Sequence, residues 1–168
     1  MSSKIVELEE LSNRCEKLRR AGRKIVATNG CFDLLHVGHV RYLRAARAFG
    51  DILAVGLNGD QSVRQLKGAG RPITTATDRA EILAALECVD LVTIFPQIRA
   101  TQFIAAVRPA VYAKGGDYTP ETLDEQERAL LSEVGADIRL IPFETGYSTS
   151  ALIEQMCGTA VHKDQRLR

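Results

Sequence analysis

Apolar positions along the chain fall into two alternating patterns, one with helical spacing and one in short continuous runs. Ile5, Leu8, Leu11, Cys15 and Leu18 recur at intervals of three and four, which predicts an amphipathic helix ending near Gly22. The run from Ile25 to Thr28 reads as a strand, with Asn29 and Gly30 opening a loop, and the spacing from Val37 to Phe49 predicts a second helix. Further strands are expected at Ile52 to Leu57, Leu91 to Phe95, Ala110 to Ala113 and Ile138 to Ile141. Helices are expected at Asp78 to Glu87, Thr101 to Val107 and about Leu123 to Val134. Five short apolar strands separated by helices predict an α/β chain with a doubly wound, parallel five-stranded sheet covered on both faces. Ligands of such folds sit outside the carboxyl ends of strands, so the chemistry is sought in the segments that follow them.

Length and charge narrow the picture. The 168 residues suit a single domain, expected over residues 1–157 with 1–22 as a leading helix. Residues 158–168 lose apolar periodicity and end in a polar, basic stretch, which reads as a flexible tail. Lys and Arg number 22 against 21 Asp and Glu, so the global basic field of a non-specific nucleic-acid binder is absent and no nucleic-acid partner is expected. Cys15, Cys31, Cys88 and Cys157 form no Cys-x-x-Cys pair and no zinc-like spacing with histidine; reduced thiols in a cytoplasmic protein are expected. The apolar positions of the N-terminal segment are broken by Glu, Arg and Lys, so neither a signal peptide nor a membrane span is expected.

The segment after the first strand, Thr28-Asn29-Gly30-Cys31-Phe32-Asp33-Leu34-Leu35-His36-Val37-Gly38-His39, holds two of the three histidines at the start of a helix. A helix N-terminus offers unpaired N–H groups and about half a positive charge, and Gly30 and Gly38 let the main chain approach phosphate oxygens. Imidazoles three residues apart share a face, so His36 and His39 are placed to donate to one phosphate group. The plainer readings are capping, packing or metal ligation, and the last lacks a third ligand at matching spacing. Asp33 has helix capping and Phe32 core packing as competing readings. Cys31 as a nucleophile lacks an orienting third group.

Asn29 to His39 resembles the signature of the His-x-Gly-His cytidylyltransferase-like nucleotidyltransferases. Asn58-Gly59-Asp60, Lys67-Gly68 with Arg71-Pro72, Arg79, Lys114-Gly115-Gly116-Asp117-Tyr118 and Gly146-Tyr147-Ser148-Thr149-Ser150 resemble elements of one branch, the D-glycero-β-D-manno-heptose 1-phosphate adenylyltransferases. The likeness runs from about Lys24 to Met156. It implies a Rossmann-like nucleotidyltransferase that moves AMP from ATP to the heptose 1-phosphate, giving ADP-heptose and pyrophosphate for lipopolysaccharide or capsule precursors. Some family members carry a linked kinase; none is read here, so the chain is expected to be the transferase alone.

By this resemblance His36, His39 and Lys67 are catalytic. Thr28, Asn29, Gly30, Cys31, Phe32, Asp33, Gly38, Lys114, Gly115, Gly116, Gly146, Ser148 and Thr149 bind nucleotide, and Asp33, Asn58, Arg79, Asp117 and Tyr118 bind the acceptor. Mg²⁺ is expected to be held mainly through the triphosphate, with no dedicated protein ligands, and a homodimer is expected in which the leading helix could serve as the interface. Competing readings stand beside these: Lys67 as a solvated loop residue, Arg79 as a surface ion pair, Gly115-Gly116 as a tight turn, and Ser148 or Thr149 as an N-cap. Where related cytidylyltransferases commonly have Arg-Thr-x-Gly, this chain has Phe143-Glu144-Thr145-Gly146, a departure that favours the adenylyl branch. The rival enzyme is a cytidylyltransferase acting on glycerol 3-phosphate or a similar alcohol phosphate; the rival of another class is a non-catalytic nucleotide-binding module.

Overall fold

Alternating strands and helices build the chain in the order α1 (Leu8–Arg20), β1 (Ile25–Gly30), α2 (Val37–Arg47), β2 (Ile52–Asn58), α3 (Asp60–Lys67), α4 (Ala76–Ala85), β3 (Leu91–Phe95), α5 (Thr101–Val107), β4 (Val111–Gly115), α6 (Glu125–Glu133) and β5 (Asp137–Ile141). The computed structural model describes residues 2–116 and 122–142 together with Thr149, Leu152, Ile153 and Gln155. Asp117, Tyr118, Gly146, Ser148 and the expected tail over 158–168 lie outside the described residues.

The five strands form one all-parallel sheet in the order β3-β2-β1-β4-β5. Strand residues alternate between two cores because successive side chains leave opposite faces of the sheet. Ile25 and Ala27 of β1 join Leu11 and Cys15 of α1, Phe103, Ile104 and Val107 of α5, and Leu131 of α6. Val26, on the other face, joins Leu43 and Ala46 of α2 and Ala80 and Leu83 of α4. The sheet is therefore doubly wound, and the order of winding reverses between β1 and β4, with the cleft at the carboxyl ends of these strands.

Two elements differ from the sequence expectation. Ile5 does not start α1: it bridges Val92 in a parallel pairing, with Val6 N–H donating to Val92 O at 2.9 Å and Val92 N–H to Lys4 O at 2.8 Å. The β-branched pair Ile5-Val6 thereby covers the open edge of β3, which would otherwise present unpaired backbone groups. Lys67 is not in a loop but ends α3, whose C-cap Gly68 has φ 93°. This helix escapes a periodicity reading because only Val63 and Leu66 in Asp60–Lys67 are aliphatic.

Candidate active site

The segment joining β1 to α2 carries the site. β1 extends through Gly30, so Asn29 is its penultimate residue rather than the start of a loop. Phe32 then adopts φ 43°, a left-handed conformation uncommon for a bulky residue. Its ring is buried, and a Cβ on Gly30 would lie 3.0 Å from Phe32 Cε2, so a larger residue there would have to push the ring aside. Local strain of this kind concentrates at binding sites.

His36 is the N-cap of α2, and no acidic side chain lies in the first turn to offset the helix dipole. The His36 backbone N–H donates to His39 Nδ1 at 3.3 Å, so His39 carries its proton on Nε2. The imidazoles stack with centroids 3.9 Å apart and planes inclined by 32°, and Phe32 meets His39 edge-on at 5.6 Å. Burial lowers His39 to about 4, with the neighbouring His36 adding to the effect, and burial also lowers His36. Near neutral pH both rings are uncharged: they supply directed N–H donors, not net charge.

A cleft of about 970 Å³ opens over this turn, within the size range of small-molecule sites. Five cationic side chains, Arg41, Lys67, Arg71, Arg99 and Lys114, line it against three carboxylates, Asp33, Asp124 and Glu127. The carboxylates are engaged. Asp124 caps α6 and pairs with Arg99 at 2.6 Å, and Glu127 accepts the Ala100 N–H at 2.7 Å. Asp33 pairs with Arg71 and accepts from Ile73 N–H at 2.7 Å and Thr74 N–H at 3.3 Å. Asp33 therefore anchors the segment before α4 and does not cap α2.

On the β4 side, Lys114 Nζ donates to Asn29 Oδ1 at 2.7 Å, and Tyr112 Oη donates to the same oxygen at 2.5 Å. Burial pushes the Lys114 ammonium down, opposed by the Glu127 carboxylate. Asn58 lies on the cleft, but its amide is turned to the loop after β3, donating to Gln97 O at 3.2 Å and Ile98 O at 3.4 Å. Burial raises the Cys31 thiol, outweighing the cations Lys67 and Arg79, so Cys31 is a neutral thiol rather than an activated nucleophile.

Of the sequence-predicted residues, Asn29, Gly30, Cys31, Phe32, Asp33, His36, Gly38, His39, Asn58, Lys67, Lys114, Gly115 and Thr149 meet on this cleft. Thr149 donates its hydroxyl to Leu34 O at 3.3 Å. Thr28, Gly116 and Arg79 are not among the lining residues. Thr28 is buried inside β1 with its hydroxyl 2.6 Å from Tyr42 Oη, and the Gly116 N–H is donated to Ile141 O at 3.0 Å. Arg79 has a fully buried side chain that donates to Thr74 O at 3.1 Å, to Cys31 O, and to Asp60 at 2.7 Å. It neither lines the cleft nor forms a surface ion pair, its competing reading: its carboxylate partner is Asp60 and its own side chain is buried. Arg41, Tyr42, Leu66, Ile98 and Arg99 also reach the cleft without having been picked out from sequence; of these only Tyr42, three residues after His39 on α2, has a spacing that could have pointed to it.

A family model described as cytidylyltransferase-like matches residues 27–155. The bifunctional protein HldE of Geotalea uraniireducens is 48% identical over 154 residues, covering 92% of this chain and 31% of that protein. HldE of Helicobacter pylori is 48% identical over 161 residues, covering 96% and 32%. The chain thus spans about a third of the length of these curated relatives. Among solved structures, a lipopolysaccharide core biosynthesis protein from Thermoplasma volcanium superposes with TM-score 0.61 at 25% identity, covering 76% of this chain and 100% of that one. The pantoate-beta-alanine ligase of Francisella tularensis shares the fold, with TM-score 0.59 at 14% identity over 89% of this chain and 69% of that one.

Proposed function

Because the chain belongs to the cytidylyltransferase-like family, we propose that it is a nucleotidyltransferase that moves AMP from ATP to D-glycero-β-D-manno-heptose 1-phosphate, giving ADP-heptose and pyrophosphate. The observation that carries the transferase reading is the pair of stacked, neutral imidazoles at the uncompensated N-terminus of α2, facing a cation-lined cleft at the carboxyl end of β1. The choice of heptose phosphate rests on the sequence resemblance, supported by near-half identity to the HldE relatives over this region.

An oxygen of the acceptor phosphate forms a bond to the α-phosphorus of ATP. The bond from that phosphorus to the bridging oxygen breaks, and pyrophosphate departs with the electron pair. A phosphate monoester is largely dianionic near neutral pH, so the nucleophile needs no general base. Catalysis reduces to positioning two anions and offsetting charge as it moves onto pyrophosphate. The amide groups at the start of α2 and the Nε2–H of His39 serve that end, joined by Lys67 from the end of α3 and Lys114 from the end of β4.

Among the described residues no cluster of three or more His, Cys, Asp or Glu is suited to hold a metal ion, and the cleft carboxylates already have partners. That donor set fits a divalent cation, Mg²⁺ in this reading, carried mainly by triphosphate oxygens and water, where it would neutralise phosphate charge.

The test is pyrophosphate release with Mg²⁺, crossing ATP and CTP against heptose 1-phosphate and glycerol 3-phosphate, with His39→Ala as control. Release confined to ATP with the heptose phosphate and lost in the variant is the expected result. Release with CTP and glycerol 3-phosphate moves the chain to the cytidylyl branch, and nucleotide binding without release in any combination leaves a binding module.

A further inference from the structure

The segment from Gly68 to Thr75 joins α3 to α4 and brings one cation, Arg71, to the cleft. It is fastened to the phosphate-binding turn at Asp33, whose side chain is 1% exposed and accepts from Arg71 Nε, Ile73 N–H and Thr74 N–H, while Thr74 Oγ1 donates to the Asp33 carbonyl at 2.7 Å. Arg79 ties the same two segments together from below, through Cys31 O and Thr74 O. The charged groups of Asp33 and Arg79 are both engaged with protein partners. Arg71 differs: its side chain keeps 18% exposure on the cleft wall, and its bond to Asp33 uses Nε, leaving the Nη edge of the guanidinium for the cleft.

We propose that Arg71 binds the phosphate of the acceptor, its guanidinium held as a fixed fork by the buried Asp33 carboxylate. The proposal rests on the transferase reading above for the identity of that phosphate. Three observations carry it. Both cleft imidazoles are uncharged near neutral pH, so cationic recognition of a second anion falls to side chains of another kind. Arg99 also pairs through Nε, with Asp124, but that pair is 52% and 27% exposed against 18% and 1% for Arg71 and Asp33, so its fork is less firmly held; Lys114 donates to Asn29 on the β4 side of β1. Arg71 follows β2, the opposite neighbour of β1, so the two cations flank the turn from two sides. A terminal phosphate presents a pair of oxygens that match two parallel guanidinium N–H groups, a geometry an ammonium does not reproduce. Fixing Nε on Asp33 removes side-chain freedom before the ligand arrives, which favours binding without new contacts. Asp33 is then a positioning residue, acting on the acceptor through Arg71.

Calorimetric titration of wild type, Arg71→Gln, Arg71→Lys and Asp33→Asn with heptose 1-phosphate, with inorganic phosphate and with a non-hydrolysable ATP analogue plus Mg²⁺ tests this. Arg71→Gln is expected to weaken both phosphate compounds by about tenfold to a hundredfold and the ATP analogue by no more than about twofold. Arg71→Lys recovers part of the loss, and Asp33→Asn raises the KM for acceptor with little change in the KM for ATP. Thermal melting of each variant establishes folding, and Arg71→Lys remains informative where Arg71→Gln does not fold. Loss of the ATP analogue in place of the phosphates overturns the proposal, as does no change for any ligand or a wild type that binds neither phosphate compound. A wild type that binds phosphate through Arg71 yet releases no pyrophosphate leaves this proposal standing and sinks the transferase reading.

Discussion

Replacing Arg79 by alanine is expected to act on stability first and on catalysis only through the turn that Arg79 supports. Its side chain is fully buried and makes three bonds, to the carbonyls of Cys31 and Thr74 and to the Asp60 carboxylate. Truncation leaves two carbonyls without this donor, at roughly 1–3 kcal/mol each where water does not replace it. Asp60 is 42% exposed and is rehydrated, so its share is small. The total is about 4 kcal/mol, near the 3–5 kcal/mol typical of breaking a buried pair. For a chain of this size that lowers Tm by about 10 °C. Arg79→Lys keeps the charge but cannot bridge three acceptors, and about half that loss is expected. The assay is thermal unfolding by circular dichroism, alongside pyrophosphate release well below each variant's Tm. A Tm within about 2 °C of wild type, with a selective rise in acceptor KM, would refute this reasoning and make Arg79 a substrate ligand after all.

Three further outcomes follow from the geometry. His39 has its folded pKa depressed to about 4 from 6.5, so its stabilising contribution is complete above pH 6.5 and is lost as pH falls through 4. That contribution is at most about 3 kcal/mol; His39→Gln should flatten the decline in Tm between pH 6.5 and 4, and equal slopes in wild type and variant contradict the assignment. Truncating His39 to alanine removes a donor aimed at developing phosphate charge, and kcat is expected to fall about a hundredfold to a thousandfold in the pyrophosphate assay; an undiminished kcat contradicts that role. Gly56→Ala places a Cβ 2.8 Å from Phe103 Cδ1 in the core, and a destabilisation of about 1–3 kcal/mol with near-normal kcat is expected from denaturant melts and turnover at low temperature. An unchanged melt would mean that Phe103 yields without cost.

Much of this arrangement is legible from residue order because a parallel sheet must bury apolar strands on both faces. β3, α5 and the end of β5 fall where their apolar residues end, and β1, β2 and β4 extend by one to three residues past the last hydrophobic position. Asn29, Gly30 and Asn58 belong to strands for that reason: polarity marked them as loop residues, whereas parallel pairing with Gly56 and Leu57, and with Phe95, carries them further. The histidine turn was legible because its chemistry is contiguous in sequence. What joins distant segments was not. Arg79 sits 48 residues from its Cys31 partner and Arg71 38 from Asp33. Composition cannot distinguish an arginine buried beneath a turn from one in solvent; the three backbone and carboxylate acceptors that decide it are assembled only by the fold.

The division of labour among the cleft residues follows from the two anions that the proposed reaction must bring together. A protonated imidazole pair would hold the triphosphate through charge, but two cations with ring centroids 3.9 Å apart repel, and burial already disfavours the charged form. Neutral rings avoid that cost and still donate directionally, with the His36 amide fixing which nitrogen of His39 carries the proton. Net charge is moved outward to Lys67, Arg71 and Lys114 on separate segments. Two of these are held: Arg71 by Asp33 and Lys114 by the Asn29 oxygen that also receives Tyr112. Lys67 alone stands at a helix end followed by glycines, Gly68 and Gly70, both with positive φ and with open space where a Cβ would lie. The fixed cations suit ground-state recognition of ligands that arrive in defined places. The Lys67 position, hinged by glycine, suits the group that must follow charge onto departing pyrophosphate. Gly68→Ala, strained at φ 93° and so forcing that hinge out of its native conformation, should therefore lower kcat more than it weakens binding of the ATP analogue. Equal losses in kcat and analogue affinity would place Lys67 among the static ligands instead.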